Sequence, residues 1–191
     1  MAAPAVSSVV AGKPLVSGGV LTAPFETDLP NSATGVLDED FVALGYISED
    51  GLTETAERST EKVKAWGGDI VKVLQTEFSV TYSFTLIGST DTDVLRAVYG
   101  DAAVTTSGIG GTQKSVKVNG DQLPKKAFVF EVKDGDTKIR IVVPNGQVTE
   151  VGEVTYSDGG VVSYQVTVEA FENDEGDNAI KYIDTDDSAG S

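Results

Sequence analysis

A strict alternation of apolar and polar side chains over residues 77–87 constrains the fold more than any other feature of the sequence. Every second residue is large and apolar, and the residues between them are Glu, Ser or Thr. A period of two is the repeat of a β-strand, whose successive side chains point to opposite faces. The segment therefore predicts a strand with one wet face and one core face. The core residues predicted on it are Phe78, Val80, Tyr82, Phe84 and Leu86.

The same pattern returns in shorter stretches along the chain. Phe128 and Phe130 alternate with smaller neighbours, as do Tyr164 and Val166, so we expect all four in the core. Between the stretches stand sequences typical of turns. The turns predicted in this way are 48–51 (SEDG), 134–136 (DGD), 144–146 (PNG) and 157–160 (SDGG). Residues 114–119 are expected to form a strand with Val116 and Val118 inward.

Only one helix is well indicated. Ser89 or Thr90 can cap its start, Asp91 and Asp93 favour its positive end, and Gly100 follows it. Eight to ten strands with one helix show no alternation of strands and helices. The predicted fold is mainly β: an antiparallel β-sandwich or barrel with one short α-helix and extended N- and C-terminal arms.

The composition removes most catalytic chemistry. The 191 residues include no histidine and no cysteine, which excludes disulfides, thiolate metal sites and the usual serine and cysteine triads. Gly12-Lys13 lacks the neighbours of a phosphate-binding loop, and residues 172–176 misplace the glycine of a calcium loop. We therefore expect no cofactor, no metal and no enzyme activity. A hydrolase using paired carboxylates is an unfavoured alternative.

The net charge of −16 is concentrated in two segments. Residues 26–61 carry ten acids against Arg58, and residues 169–187 carry eight acids against Lys181. Residues 62–168 are nearly neutral, with twelve acids and eleven bases. The net charge of −16 argues against binding to nucleic acid or to an anionic membrane. No stretch of the sequence approaches the roughly 20 apolar residues of a membrane span. The acid serves solubility, or it lines a surface that repels anions or pairs with basic patches on a neighbouring molecule.

A long hairpin is predicted over residues 52–76, with Gly67-Gly68 at its turn. Its side chains are largely polar, so we expect it to project from the body or to become ordered on contact. The chain then divides into a flexible arm (1–18), a β-sandwich domain with this hairpin (19–171) and an acidic arm (172–191). Trp66 is the only tryptophan and is interpreted as a packing or interface anchor.

Several whole segments resemble the major tail tube protein of long-tailed, siphovirus-type phages of actinobacteria. The resemblance covers about residues 10–183 and rests on segments rather than on a catalytic signature. The segments are 11–25 (AGKPLVSGGVLTAPF), 46–55 (YISEDGLTET), 60–68 (TEKVKAWGG), 75–86 (QTEFSVTYSFTL), 92–100 (TDVLRAVYG), 141–154 (IVVPNGQVTEVGEV) and 179–183 (AIKYI).

The resemblance implies a structural role in the virion tail, with assembly in the host cytoplasm. Subunits of this family, whose fold the tube protein of type VI secretion systems shares, form hexameric rings. The inner sheets join around a lumen, and the rings stack through the two arms and a long hairpin. Genome DNA passes through the lumen without specific binding. The implied partners are further copies of the chain and other tail proteins, such as the tape measure, terminator and distal tail proteins.

The hairpin residues then have two possible places. Glu54, Glu57 and Glu61 are our candidates for acids that face the lumen and repel DNA. Alternatively, these acids lie on a ring-stacking surface opposite Lys62, Lys64 or Lys72. A different class of function also stays open, in which the chain is an acidic β-sandwich that binds or decorates a virion or cell surface.

Overall fold

A computed structural model of the chain describes residues 13–14 and 19–185. This part of the chain contains eleven β-strands and one α-helix, α1 at Thr92–Tyr99. The strands are β1 Lys13–Pro14, β2 Val20–Pro24, β3 Val42–Ala43, β4 Ile47–Lys64, β5 Ile70–Leu86, β6 Val104–Ser107, β7 Gln113–Val116, β8 Lys126–Asp134, β9 Thr137–Val151, β10 Tyr164–Ala170 and β11 Ile180–Asp184.

Nine of these strands form one antiparallel sheet, and seven of the nine follow each other in the order β3-β2-β8-β9-β10-β5-β4. The other two are β1, which pairs with β8, and β11, which pairs with residues 138–142 of β9, whereas β10 pairs with residues 146–151 of that strand. The strands β6 and β7 form a separate two-stranded sheet. The predicted class is confirmed: the fold is mainly β and antiparallel, with one α-helix in the part that the structure describes.

The large sheet curls so that distant strands face each other across the core. In a flat sheet β8 and β5 would lie about 14 Å apart, because β9 and β10 stand between them at about 4.8 Å per step. Instead Tyr82 of β5 stacks on Phe130 of β8 with 5.0 Å between ring centroids. Phe84 meets the same ring edge-on at 5.7 Å. The sheet therefore encloses its own core, with α1 packed against it.

The side chains predicted for the core lie as follows. Eight of the nine are buried, and Phe78 is half-buried where β5 leaves the body of the molecule. On α1, Val94, Leu95 and Val98 are buried in the same cluster. The helix begins after Asp91, whose side chain accepts a hydrogen bond from the backbone N–H of Asp93 at 2.8 Å.

The turn predicted at residues 144–146 is wrong. β9 runs unbroken from Thr137 to Val151, and Pro144, Asn145 and Gly146 are buried within it. A β-carbon added to Gly146 would lie 2.6 Å from the Phe128 ring. The glycine is therefore required for close packing between β8 and β9, not for a reversal of the chain.

Two other boundaries differ from the predictions. Residues 48–51 do not end a strand but lie inside β4, where its register against β5 shifts between Ile47 and Leu52. The strand predicted over 114–119 is the shorter β7, and Val118 is 79% exposed rather than inward. In both places the local alternation is weak, and pairing with a neighbouring strand decides where the element ends.

The described residues of the two predicted arms include two β-strands. Of the predicted N-terminal arm, residues 13–14 form β1, and the rest lies outside the described residues. Residues 180–184, which the sequence places in the C-terminal arm, form β11 and extend the main sheet beside β9. Residues 186–191 lie outside the described residues.

Candidate assembly surfaces

The hairpin of β4 and β5 projects well beyond the rest of the sheet. β10 pairs with β5 only from Val80 to Leu86, whereas β4 follows β5 down to Ile70. Residues 70–79 of β5 therefore pair with β4 alone, which at about 3.3 Å per residue is an extension of about 30 Å. At the end of the hairpin Gly67 and Gly68 adopt positive φ values of 140° and 96°, which side chains with a β-carbon rarely adopt.

The pairing register places the three candidate glutamates on two different faces. Glu54 lies opposite Tyr82, on the face that continues into the core. Glu57 lies opposite Ser79, on the wet face, and Glu61 is four residues further along the same strand. The register shift between Ser59 and Thr60 leaves the extra residue in β5, so the alternation of β4 continues through it.

Glu54 makes an ion pair at the base of the hairpin. Its carboxylate accepts from Lys181 of β11, with Nζ–Oε distances of 2.6 and 2.8 Å. The neighbouring Tyr82 is fully buried, and its hydroxyl has no hydrogen-bond partner among the described residues. Burial raises the pKa of Tyr82 far above its usual range, and the Glu54 carboxylate raises it further. The ion pair between Glu54 and Lys181 ties the C-terminal strand β11 to the base of the hairpin.

The outward face of β4, β5 and β10 is polar over residues 53–59, 77–85 and 165–169, and we name this stretch the polar face. On β5 it carries Ser79, Thr81 and Ser83, and the Ser83 hydroxyl lies 3.1 Å from that of Thr167 on β10. Its acids are Glu57, Glu77 and Glu169. Arg58 lies on the opposite face, over the Phe78 ring, and the three lysines of these strands lie further out, in residues 62–74, so the described residues of this stretch present uncharged polar groups and negative charge.

The far end of the hairpin, residues 62–74, is apolar and basic, and we name it the hairpin tip. Trp66 is 106% exposed at the turn. Five more large apolar side chains of this segment are exposed, namely Val63, Ile70, Val71, Val73 and Leu74. Such an apolar cluster is typical of a surface that another protein covers.

Residues 25–42 form a second surface with exposed apolar side chains, which we name the acidic loop. Arg140 is 6% exposed beneath this loop, and its Nη1 donates to the backbone oxygens of Ser32 (2.9 Å) and Gly35 (2.7 Å). Its Nε donates to Glu131 Oε1 at 2.9 Å, which completes a partly buried ion pair. Arg140 therefore anchors the loop backbone at Ser32 and Gly35 to β9.

The structure places the predicted site residues on separate surfaces. Lys62, Lys64 and Trp66 lie together at the hairpin tip, close to Glu61 along the strand, whereas Glu54 belongs to the base of the hairpin and Glu57 to the polar face. The parity of the numbers already separates 54 from 57 and 61 on a strand. The sequence showed the acidic charge of residues 26–61, but the exposure of the apolar side chains among the first five of these acids appears only in the structure.

Within residues 13–14 and 19–185, no group of three or more acidic side chains is arranged to hold a metal ion. In the same part of the chain, no helix is long and apolar enough to cross a membrane.

An exposed apolar surface such as the hairpin tip is typical of a protein that contacts other proteins. The sequence model of a family described as phage tail tube protein matches residues 1–191. The chain therefore belongs to the phage tail tube protein family. It is a structural component of the virion tail rather than an enzyme.

The chain also has a weak likeness to chains of solved structures. A chain of the anti-feeding prophage cap (AFP tube terminating cap) is 9% identical with a TM-score of 0.47, covering 93% of this chain and 95% of that chain. A chain of the PVC sheath-tube complex, from an extracellular contractile injection system, is 8% identical with a TM-score of 0.42, covering 94% and 98%. One from the virion of a native gene transfer agent is 15% identical with a TM-score of 0.43, covering 87% and 96%. Likeness at this level carries no functional argument. No curated relative matches the sequence.

Proposed function

We propose that this tail tube subunit forms hexameric rings, that the rings stack into a tube, and that genome DNA passes through its lumen. The observation that carries the proposal is the pair of open edges of the main sheet. Among the residues that the structure describes, β4 pairs only with β5, and β3 at the other edge pairs only with β2. Unpaired backbone groups on such edges can pair between copies, and a closed ring leaves no free edge.

The polar face supports the assignment of a lumen wall. Glu57 and Glu169 project from a surface of hydroxyl groups without a nearby lysine or arginine on the same face. DNA adheres to proteins mainly through cationic side chains that replace its counterions, so a wall of acids and hydroxyls lets phosphates pass. In this proposal Glu57 faces the lumen, Glu61 lies further out along the hairpin, and Glu54 is withdrawn from the lumen by Lys181.

The ends of such a tube must contact other proteins of the tail. The exposed hairpin tip supplies an apolar surface that the last ring would leave uncovered. Tape measure, terminator and distal tail proteins are the partner classes that fit these positions.

Electron microscopy of the purified chain tests assembly directly. We expect six-fold rings and short tubes to appear as the protein concentration rises, because each open edge binds another copy. Only monomers at every concentration, with and without other tail components, would refute the proposal.

The lumen assignment is tested by reversing charge on the polar face in the phage. The variant Glu57→Lys with Glu169→Lys should still form tails but deliver less DNA, because lysines hold phosphates. The matched control is Glu153→Lys with Asp158→Lys, two exposed acids outside that face with the same change in charge. Equal infectivity of the two variants would contradict the lumen assignment.

A further inference from the structure

The hairpin tip and the acidic loop are complementary in charge. The hairpin tip has three lysines against Asp69, a net charge of +2 in a chain of −16. The acidic loop has five acids and no base, a net charge of −5. Its acids are Glu26, Asp28, Asp38, Glu39 and Asp40. Opposite charges steer two surfaces together and disfavour contacts between like surfaces.

The two surfaces also match in apolar character. Val36 of the acidic loop is 97% exposed, and Phe25, Leu29 and Val42 are exposed by 39–44%. The hairpin tip, in turn, exposes Trp66 and five other large apolar side chains. Large aromatic anchors that insert among apolar side chains, with charges at the rim, are the usual composition of a protein interface.

The acidic loop is anchored by hydrogen bonds before any partner binds. Arg140 fixes the backbone at Ser32 and Gly35, and the Ser32 hydroxyl accepts from the Gly35 N–H at 2.9 Å. A further hydrogen bond joins the N–H of Phe41 to the Asp38 oxygen at 3.1 Å. A surface fixed before binding loses less conformational entropy when its partner arrives.

We propose that the hairpin tip of one copy docks on the acidic loop of another copy of this chain. This contact is one of those that hold the assembly proposed above together, and it rests on that proposal. Because the contact joins two different surfaces of one chain, each docked copy still offers a free hairpin tip or a free acidic loop. The contact therefore propagates from copy to copy, as a tube requires.

Cross-linking tests the contact between named positions. The chain has no cysteine, so a single Ala65→Cys variant and a single Thr34→Cys variant each carry one thiol. Both positions are exposed, at the hairpin tip and in the acidic loop. The two variants are mixed under assembly conditions, treated with a short bis-maleimide, and the linked peptides identified by mass spectrometry.

We expect links between positions 65 and 34 well above those formed with a matched control. The control replaces Thr34→Cys with Thr155→Cys, an exposed threonine outside the acidic loop. Equal yields with the two threonine positions, or no link to position 34, would overturn the inference.

Charge reversal tests the chemistry of the contact. Lys62→Glu, Lys64→Glu and Lys72→Glu in one chain should raise the concentration needed for assembly about tenfold or more, because like charges then meet. Asp28→Lys, Glu39→Lys and Asp40→Lys in one chain should do the same. A chain with all six changes should assemble close to normally, and failure of this rescue counts against the docking.

The two proposals fail in different ways. If the wild-type chain forms neither rings nor tubes, the assembly proposal fails, and the cross-linking yields still judge the contact. If the wild-type chain assembles but the chain with all six charge reversals does not, and no link to position 34 forms, only the docking inference fails. Circular dichroism of each variant as a monomer shows that the fold is retained.

Discussion

At the scale of single residues, Tyr82 combines two properties that seldom occur together. Its ring lies in the aromatic stack with Phe130, and its hydroxyl is buried without a hydrogen-bond partner among the described residues. A buried polar group that lacks a partner costs free energy on folding, whereas the ring contributes packing. The two parts of this side chain therefore act in opposite directions on stability.

We expect Tyr82→Phe to leave the free energy of unfolding unchanged or to raise it by up to about 1 kcal/mol, because only the unpaired hydroxyl is removed. Tyr82→Ala, which also removes the ring, should cost about 3–5 kcal/mol. Urea unfolding of the monomeric proteins measures both. A loss of 2 kcal/mol or more in the phenylalanine variant would mean that the hydroxyl has a partner, and the Glu54 carboxylate, which raises the pKa of Tyr82, would be that partner.

At the scale of elements, Gly146 shows how a strand can contain a sequence that resembles a turn. The β-carbon of any other residue there would meet the Phe128 ring at 2.6 Å and Val168 at 3.1 Å. These contacts come from β8 and β10, the two neighbours of β9 in the sheet. The glycine therefore permits three strands to pack closely in the middle of the sheet.

Gly146→Ala is expected to lower the free energy of unfolding by about 1–3 kcal/mol, because the added methyl overpacks the core. Gly120→Ala is the matched control: its β-carbon would meet nothing within 4 Å, so the change should be neutral or slightly stabilising. Thermal or urea unfolding compares them. Equal stabilities would show that the Phe128 ring can move aside.

The elements also show what the sequence could predict. The alternation from Phe78 to Leu86 is local, so it correctly predicted a strand and its core face. The role of Gly146 depends on Phe128, 18 positions away, and no local pattern contains that contact. Similarly, the anchoring of the acidic loop by Arg140 joins residues more than 100 positions apart. Fold class is carried by periodicity, whereas the functional surfaces depend on distant pairs.

At the scale of the whole molecule, the C-terminal segment completes the domain. β11 pairs with five residues of β9, Ala179 packs against the core, and Lys181 reaches across to Glu54 at the base of the hairpin. The acidic composition of residues 172–191 suggested an arm, but part of this segment is held by the sheet. Its removal would affect the subunit itself as well as any contact between subunits.

A truncation after Phe171 should therefore lower the free energy of unfolding of the monomer, because it exposes β9 and removes the Glu54–Lys181 pair. A truncation after Thr185 keeps β11 and should unfold like the full chain. Urea unfolding of the two truncated chains, each compared with the full chain, measures the difference. Identical midpoints would show that β11 adds nothing to the stability of the subunit.

The hairpin is a two-stranded ribbon that is fixed at one end. It is held where β5 meets β10, at Val80–Leu86, and its free part extends about 30 Å. By simple geometry a tilt of about 5° at the base moves the far end by roughly 3 Å, which is about one residue along a strand. If the far end is bound to a neighbouring subunit, each subunit works as a lever. A long tail could then curve through many small tilts while every contact between its subunits stays closed.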